Sequence, residues 1–155
     1  MNFKKKKEIV FVSGNFNIIH PGHLRLLRFA KNSGSKLFVG VISDKLAKND
    51  AIVNENLRLE ALKSNIWVDE CFIINEPIVD YLKKNKPDIV VKGKEHELLV
   101  NIEKTVLDSY GGKLIFSSGD VSFSSLELLN NEFPKIKTSE SFYGSKYLKR
   151  HKIDR

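Results

Sequence analysis

The sequence predicts an α/β domain in three layers, a five-stranded parallel sheet with helices on both faces, followed by a basic C-terminal extension. Three observations predict it. Five short runs of β-branched and aromatic residues alternate with helical stripes between residues 8 and 131. The intervening helical segments have the length of crossover connections, which join parallel neighbours. The alternation then stops at Phe133-Pro134, after which the chain is rich in Ser, Tyr and Lys and shows no period. With 155 residues, 41% of them apolar, the chain suits one compact domain. We place that domain at residues 1–131 and an extension or linker at 132–155.

The elements follow in order. Glu8 to Val12 reads as a buried strand that enters a loop at Ser13-Gly14. Pro21 opens a helix whose Leu24, Leu27 and Phe29-Ala30 recur at helical spacing until Asn32-Ser33-Gly34 stops it. Leu37 to Ile42 is the second strand, and Ser43 to Val53 is polar and aperiodic, which predicts a mobile loop. Asn54 to Asn65 is a helix carrying Leu57, Ala61 and Leu62 on one side; Glu70 to Ile74 is the third strand; Pro77 to Asn85 is helical again. Asp88 to Val91 is the fourth strand, ending at Lys92-Gly93. A stripe of Leu98, Ile102, Val106 and Leu107 predicts a helix up to Gly111-Gly112, then a fifth strand from Lys113 to Phe116 and a last helix from Ser122 to Asn131. This is a Rossmann-like order, in which ligands bind beyond the carboxyl ends of the strands where the strand order reverses.

Charge and composition exclude several functions. The net charge is +7, but residues 8–131 hold 15 basic and 16 acidic side chains, while 132–155 hold seven basic and three acidic. A basic excess confined to the ends argues against a nucleic-acid surface on the folded body. No apolar run approaches the roughly 18 residues of a membrane helix, and Lys4 to Lys7 precede a strand rather than an export signal, so we expect a cytoplasmic protein without membrane insertion. The single Cys71 forms no internal disulfide and supplies no thiolate cluster; it is expected in the core. A histidine zinc site lacks a third ligand, since His96 and His151 are the only histidines besides the pair described next. No protein metal site is expected.

The sharpest signal is Gly14-Asn15-Phe16-Asn17-Ile18-Ile19-His20-Pro21-Gly22-His23, between the first strand and the first helix. The first turn of a helix offers unpaired N–H groups and a positive dipole end to a phosphate, and Gly22 keeps no side chain in the way. His20 and His23, three apart, can project from one side of the helix start and donate hydrogen bonds to charge on a nucleotide α-phosphate.

With these residues in place, the chain resembles the His-x-Gly-His nucleotidylyltransferases, a cytidylyltransferase-like family whose first loop commonly reads Gly-x-Phe-Asp. In pattern it is most similar to the adenylyltransferase domain of ADP-heptose synthase, then to the glycerol-3-phosphate cytidylyltransferases. The resemblance runs from about Glu8 to Asn131 and includes Ser43-Asp44 with Lys48, Arg58, Pro87 to Gly93, Gly111-Gly112 and Ser122 to Ser125. Asn17 stands where the family usually has Asp, and Glu95-His96 where the heptose enzymes carry an acidic-aromatic pair.

The resemblance implies transfer of a nucleoside monophosphate from an NTP, ATP or CTP, to a phosphorylated small-molecule acceptor, with pyrophosphate leaving and Mg²⁺ on the phosphates. It implies His20, His23 and Lys48 as catalytic residues, with Lys48 on the acceptor phosphate or the α-phosphate. Gly14, Asn15, Phe16 and Gly22 would form the nucleotide loop, and Arg58 would clamp phosphate. Lys92 and Gly93 would lie beside the base, while Ser124 and Ser125 would meet the β- and γ-phosphates. A homodimer is implied as well.

Overall fold

The computed structural model describes residues 7–117. Strands β1 (Ile9–Gly14), β2 (Lys36–Ile42), β3 (Glu70–Ile74), β4 (Ile89–Gly93) and β5 (Lys113–Ser117) form one sheet in the order β3-β2-β1-β4-β5. Every pairing is parallel. Helices α1 (Pro21–Ser33), α2 (Asp44–Ala47), α3 (Glu55–Lys63), α4 (Ile78–Asn85) and α5 (Ile102–Tyr110) connect the strands, with single 3₁₀ turns at Lys48–Asp50 and Lys94–His96.

The pleat explains the layers. Val10 and Val12 face one side of β1 and Phe11 the other, because successive side chains alternate. The first side packs with Leu27 and Ala30 of α1 and Leu62 of α3. Phe11 joins Val90, Leu82 of α4, and Val106 and Leu107 of α5 on the second. All of these are buried, as a strand covered on both faces requires.

From β1 the chain passes through α1 to β2 and β3 on one side, then returns to β4 and β5 on the other, so the strand order reverses between β1 and β4. The β1–β2 ladder runs through six residue pairs, from Ile9↔Lys36 to Gly14↔Val41. The β1–β4 ladder has two, Val10↔Ile89 and Phe11↔Val90. Past them the ends of β1 and β4 are not paired with each other, which opens a crevice where this fold class binds ligands.

The five described strands and helices α1, α3 and α4 lie where the sequence places them, and three features differ. Ser43 to Val53 is a short helix and a 3₁₀ turn rather than an aperiodic loop. Helix α3 turns Arg58 and Leu62 to the core and leaves Leu57 exposed, since a residue four before Leu62 shares its face. Helix α5 starts only at Ile102, and Leu98 stays in solvent. There the Asn101 amide donates to the His96 and Leu99 carbonyls, both at 2.9 Å, and folds the preceding residues into a turn. Cys71 is half-buried on β3, and burial pushes its thiol pKa up. The helix expected at Ser122 to Asn131 and the C-terminal extension lie outside the described residues. Among the described residues no helix is long and apolar enough to cross a membrane.

Candidate active site

The loop between β1 and α1 brings the two histidines together. Their rings stack with centroids 3.8 Å apart and planes 18° from parallel. His20 is buried and caps α1, its Nδ1 accepting from the N–H groups of Gly22 (3.1 Å) and His23 (3.3 Å). These two donors were expected to be open to a phosphate; the imidazole of His20 takes them instead, because a helix start without a Ser, Asp or Asn cap still needs an acceptor.

The caps also fix the tautomers. A nitrogen that accepts two N–H bonds carries no proton, so neutral His20 holds its proton on Nε2. His23 is reversed: its Nδ1 lies 3.0 Å from the Ile18 carbonyl, which can only accept, so its proton sits on Nδ1. In their neutral forms the pair therefore carries one protonated Nε2, that of His20, which is shielded from solvent, and one Nε2, that of His23, that donates only after protonation. Burial pushes the His23 pKa down to about 4, with the neighbouring His20 adding to the shift and the Ile18 carbonyl opposing it. Burial lowers His20 as well, against the Glu95 carboxylate in the 3₁₀ turn after β4, which acts to raise it.

Phe16 adopts a left-handed backbone, φ 53°, and turns its ring inward. The ring lies against His23, centroids 5.0 Å apart, and a Cβ added at Gly14 would stand 3.1 Å from it. The Phe16 side chain is thus core and packs against His23, so within the loop it is the backbone of Phe16 that is left to face a nucleotide. Asn15 gives its backbone carbonyl to Arg58. Its Oδ1 is shielded from solvent and has no hydrogen-bond donor among the described residues.

Arg58 is corrected too. Its side chain is fully buried, and four N–H groups are spent inside the protein. Nε donates to the Val53 carbonyl (2.7 Å), Nη1 to the carbonyls of Asn15 and Ile42 (both 2.8 Å), and Nη2 to Asp44 Oδ1 (2.6 Å). Such a guanidinium ties the end of β2, the histidine loop and the segment before α3 into one block, and it is not a phosphate clamp. Asp44 and Glu55 lock the same block, each carboxylate accepting the other's backbone N–H, at 2.8 and 3.2 Å. The Arg58 hydrogen bond, followed by that from Glu55, holds the Asp44 carboxyl below its ordinary range.

Lys48, at the tip of this block, is exposed and left-handed, φ 50°. Lys92 ends on α5: its Nζ donates to Asn101 Oδ1 (2.9 Å) and pairs with Glu103 (3.1 Å). Its ammonium is thus held by protein groups, whereas a place beside a base was expected. Gly93 closes β4, with the Glu95 carboxylate over it where a Cβ would stand. Ser124 and Ser125 lie outside the described residues. Asn17 and Asp44 were named in the sequence without their partners, and Glu55 was missed; those partners are eleven or more positions away, beyond the reach of any local pattern.

A family model described as cytidylyltransferase-like matches residues 11–120, more than two thirds of the chain. The chain belongs to the cytidylyltransferase-like family. The nucleotidyltransferase reading of the sequence stands on that membership. Among curated relatives of this cytidylyltransferase-like chain, the bifunctional protein HldE of Paramagnetospirillum magneticum is 29% identical over 120 residues, covering 74% of this chain and 25% of its own length. The FAD synthase of Methanococcoides burtonii is 37% identical over 89 residues, 56% of this chain and 62% of that one. The chain therefore spans about a quarter of the HldE relative it matches. Among solved structures, the lipopolysaccharide core biosynthesis protein from Thermoplasma volcanium GSS1 superposes with a TM-score of 0.63 at 25% identity, covering 74% of this chain and 98% of that chain.

Proposed function

We propose that this chain transfers a nucleoside monophosphate from an NTP to a sugar phosphate and releases pyrophosphate, with ATP and a heptose 1-phosphate type of acceptor as the leading pair. The observation that carries the reading is the stacked His20–His23 pair after the central strand, at the reversal of strand order. The HldE and lipopolysaccharide-core relatives support a sugar phosphate as acceptor. The FAD synthase relative supports a second reading, adenylyl transfer to a different phosphorylated acceptor.

The chemistry needs no protein nucleophile. An acceptor phosphate oxygen attacks the α-phosphorus, the bond from that phosphorus to the α,β-bridging oxygen breaks, and its electron pair leaves with pyrophosphate. The protein's task is to align two anions and meet the charge that builds up. His20 donates from Nε2 to the α-phosphate. His23 contributes a second donor once a polyanion beside it favours its protonated form. Lys48 meets the acceptor phosphate or the α-phosphate, and Asn15 and the backbone about Gly14, Gly22 and Gly93 shape the nucleotide's bed. Arg58 holds this loop in place without touching substrate.

Among the described residues no three His, Cys, Asp or Glu side chains converge on a metal position. A Mg²⁺ ion would therefore ride on the NTP phosphates, where it neutralises charge. The test is pyrophosphate release on mixing the protein with Mg²⁺, ATP or CTP, and a panel of sugar and polyol phosphates. Release that requires an acceptor is expected. NTP binding with no turnover across the panel would make the chain a non-catalytic nucleotide-binding module.

A further inference from the structure

One side chain joins the histidine loop to the turn that carries Lys48. The Asn17 amide makes three hydrogen bonds to backbone 33 to 36 residues away: Nδ2 donates to the Asp50 carbonyl (2.8 Å), and Oδ1 accepts from the N–H groups of Ile52 (2.9 Å) and Val53 (3.3 Å). The partners assign the amide's orientation, since two are donors and one is an acceptor. A carboxylate would keep the two accepted bonds and turn an oxygen on the Asp50 carbonyl.

The backbone on each side of this clip is in an uncommon state. Phe16, directly before Asn17, and Lys48, two residues before Asp50, both have φ near +50°. Conformations of this kind persist where neighbouring contacts over-determine them. Arg58 supplies part of the constraint, on Asn15 and Val53, and reaches neither Asn17 nor Asp50. The link between the strained residues themselves is Asn17.

We propose that Asn17 is a positioning residue, whose amide holds the Lys48 turn against the histidine loop so that the lysine meets a nucleotide phosphate. The role rests on the reading of Lys48 given above, and its test separates the two. The first measurement needs no ligand: amide hydrogen exchange of the full chain in wild type, N17A and N17D. Exchange at Ile52 and Val53 rises about tenfold in N17A, the scale of one lost hydrogen bond, with amides of β1 and β2 unchanged. N17D falls between, and carries the comparison if N17A does not fold. Wild-type protection of Ile52 and Val53 in both variants would overturn the clip.

The second measurement is the affinity for Mg–ATP in wild type, N17A, K48A and the double variant. K48A weakens binding about tenfold or more, as for a charge-assisted contact, and N17A weakens it by less. The double variant lies within about twofold of K48A, because Asn17 acts through the lysine. An N17A effect of equal size with and without Lys48 would overturn the positioning role. Full affinity in K48A would show that the lysine does not meet a nucleotide phosphate and would overturn the positioning role, leaving the acceptor phosphate as its partner, while the clip is judged by exchange alone.

Discussion

Two segments flank the crevice, and their compositions suggest the opposite of their structures. Residues 43–55 are polar and aperiodic, yet Arg58, Asn17 and the Asp44–Glu55 pair fasten them from three directions. Residues 94–101 include Leu98, Leu99 and Val100, yet those side chains stand in solvent, Leu98 97% exposed. The difference teaches that order here comes from long-range hydrogen bonds on main-chain groups. A polar segment is rigid when buried donors meet its carbonyls, and an apolar one is not packed unless another surface reaches it.

The largest effect expected from breaking this contrast is at Arg58. R58A removes two hydrogen bonds from the first segment, at Val53 and Asp44, and two more at Asn15 and Ile42, and so takes the guanidinium donor from three carbonyls. Equilibrium urea denaturation should show a loss of about 3 kcal/mol or more, since each carbonyl left unsatisfied costs about 1–3 kcal/mol.

Next come the groups that the first segment braces. H20A should lower kcat about 10²- to 10³-fold, the scale of one preorganised donor, with a smaller change in nucleotide affinity. Steady-state pyrophosphate release checks it, and an unchanged kcat would remove His20 from the chemistry.

A pH series sharpens the comparison further. His23 titrates near 4 in the folded chain against an ordinary 6.5, and His20 is lowered too. Between those values the unfolded chain binds more protons, so the contribution of the pair is complete above about pH 6.5 and is lost as pH falls toward 4. Urea midpoints across that range should fall on acidification, and H23Q should flatten the slope.

The smallest effect is expected in the second segment. L98S and V100S should shift stability by no more than about 0.5 kcal/mol, the range of exposed surface changes. A larger loss would show that these side chains are covered in solution.

The contrast also explains what was legible in the sequence. Strands such as Leu37 to Ile42, buried on both faces, announce themselves because the apolar run and the burial have one cause. The stacked histidines were legible as well, since three residues at a helix start fix their geometry. Arg58 was legible as a motif residue and misread as a ligand group: its destination depends on carbonyls at Asn15, Ile42 and Val53, brought together only by the sheet. Helix α5 was over-extended because the stripe Leu98, Ile102, Val106, Leu107 has the right period, while the Asn101 turn that cuts it uses polar contacts to Lys92 and His96. Periodicity records which face prefers burial, and does not record whether anything arrives to bury it.

The uneven ladders of the central strand have a thermodynamic consequence. With six residue pairs toward β2 and two toward β4, the sheet has a firmly joined half and a weaker seam. On the proposed function, a nucleotide seated across the ends of β1 and β4 would supply cross-links at that seam, and bound ligand adds stability that grows with the logarithm of its excess over Kd. On that reading substrate would be part of the scaffold, and the protein would be most resistant to heat and proteolysis while at work.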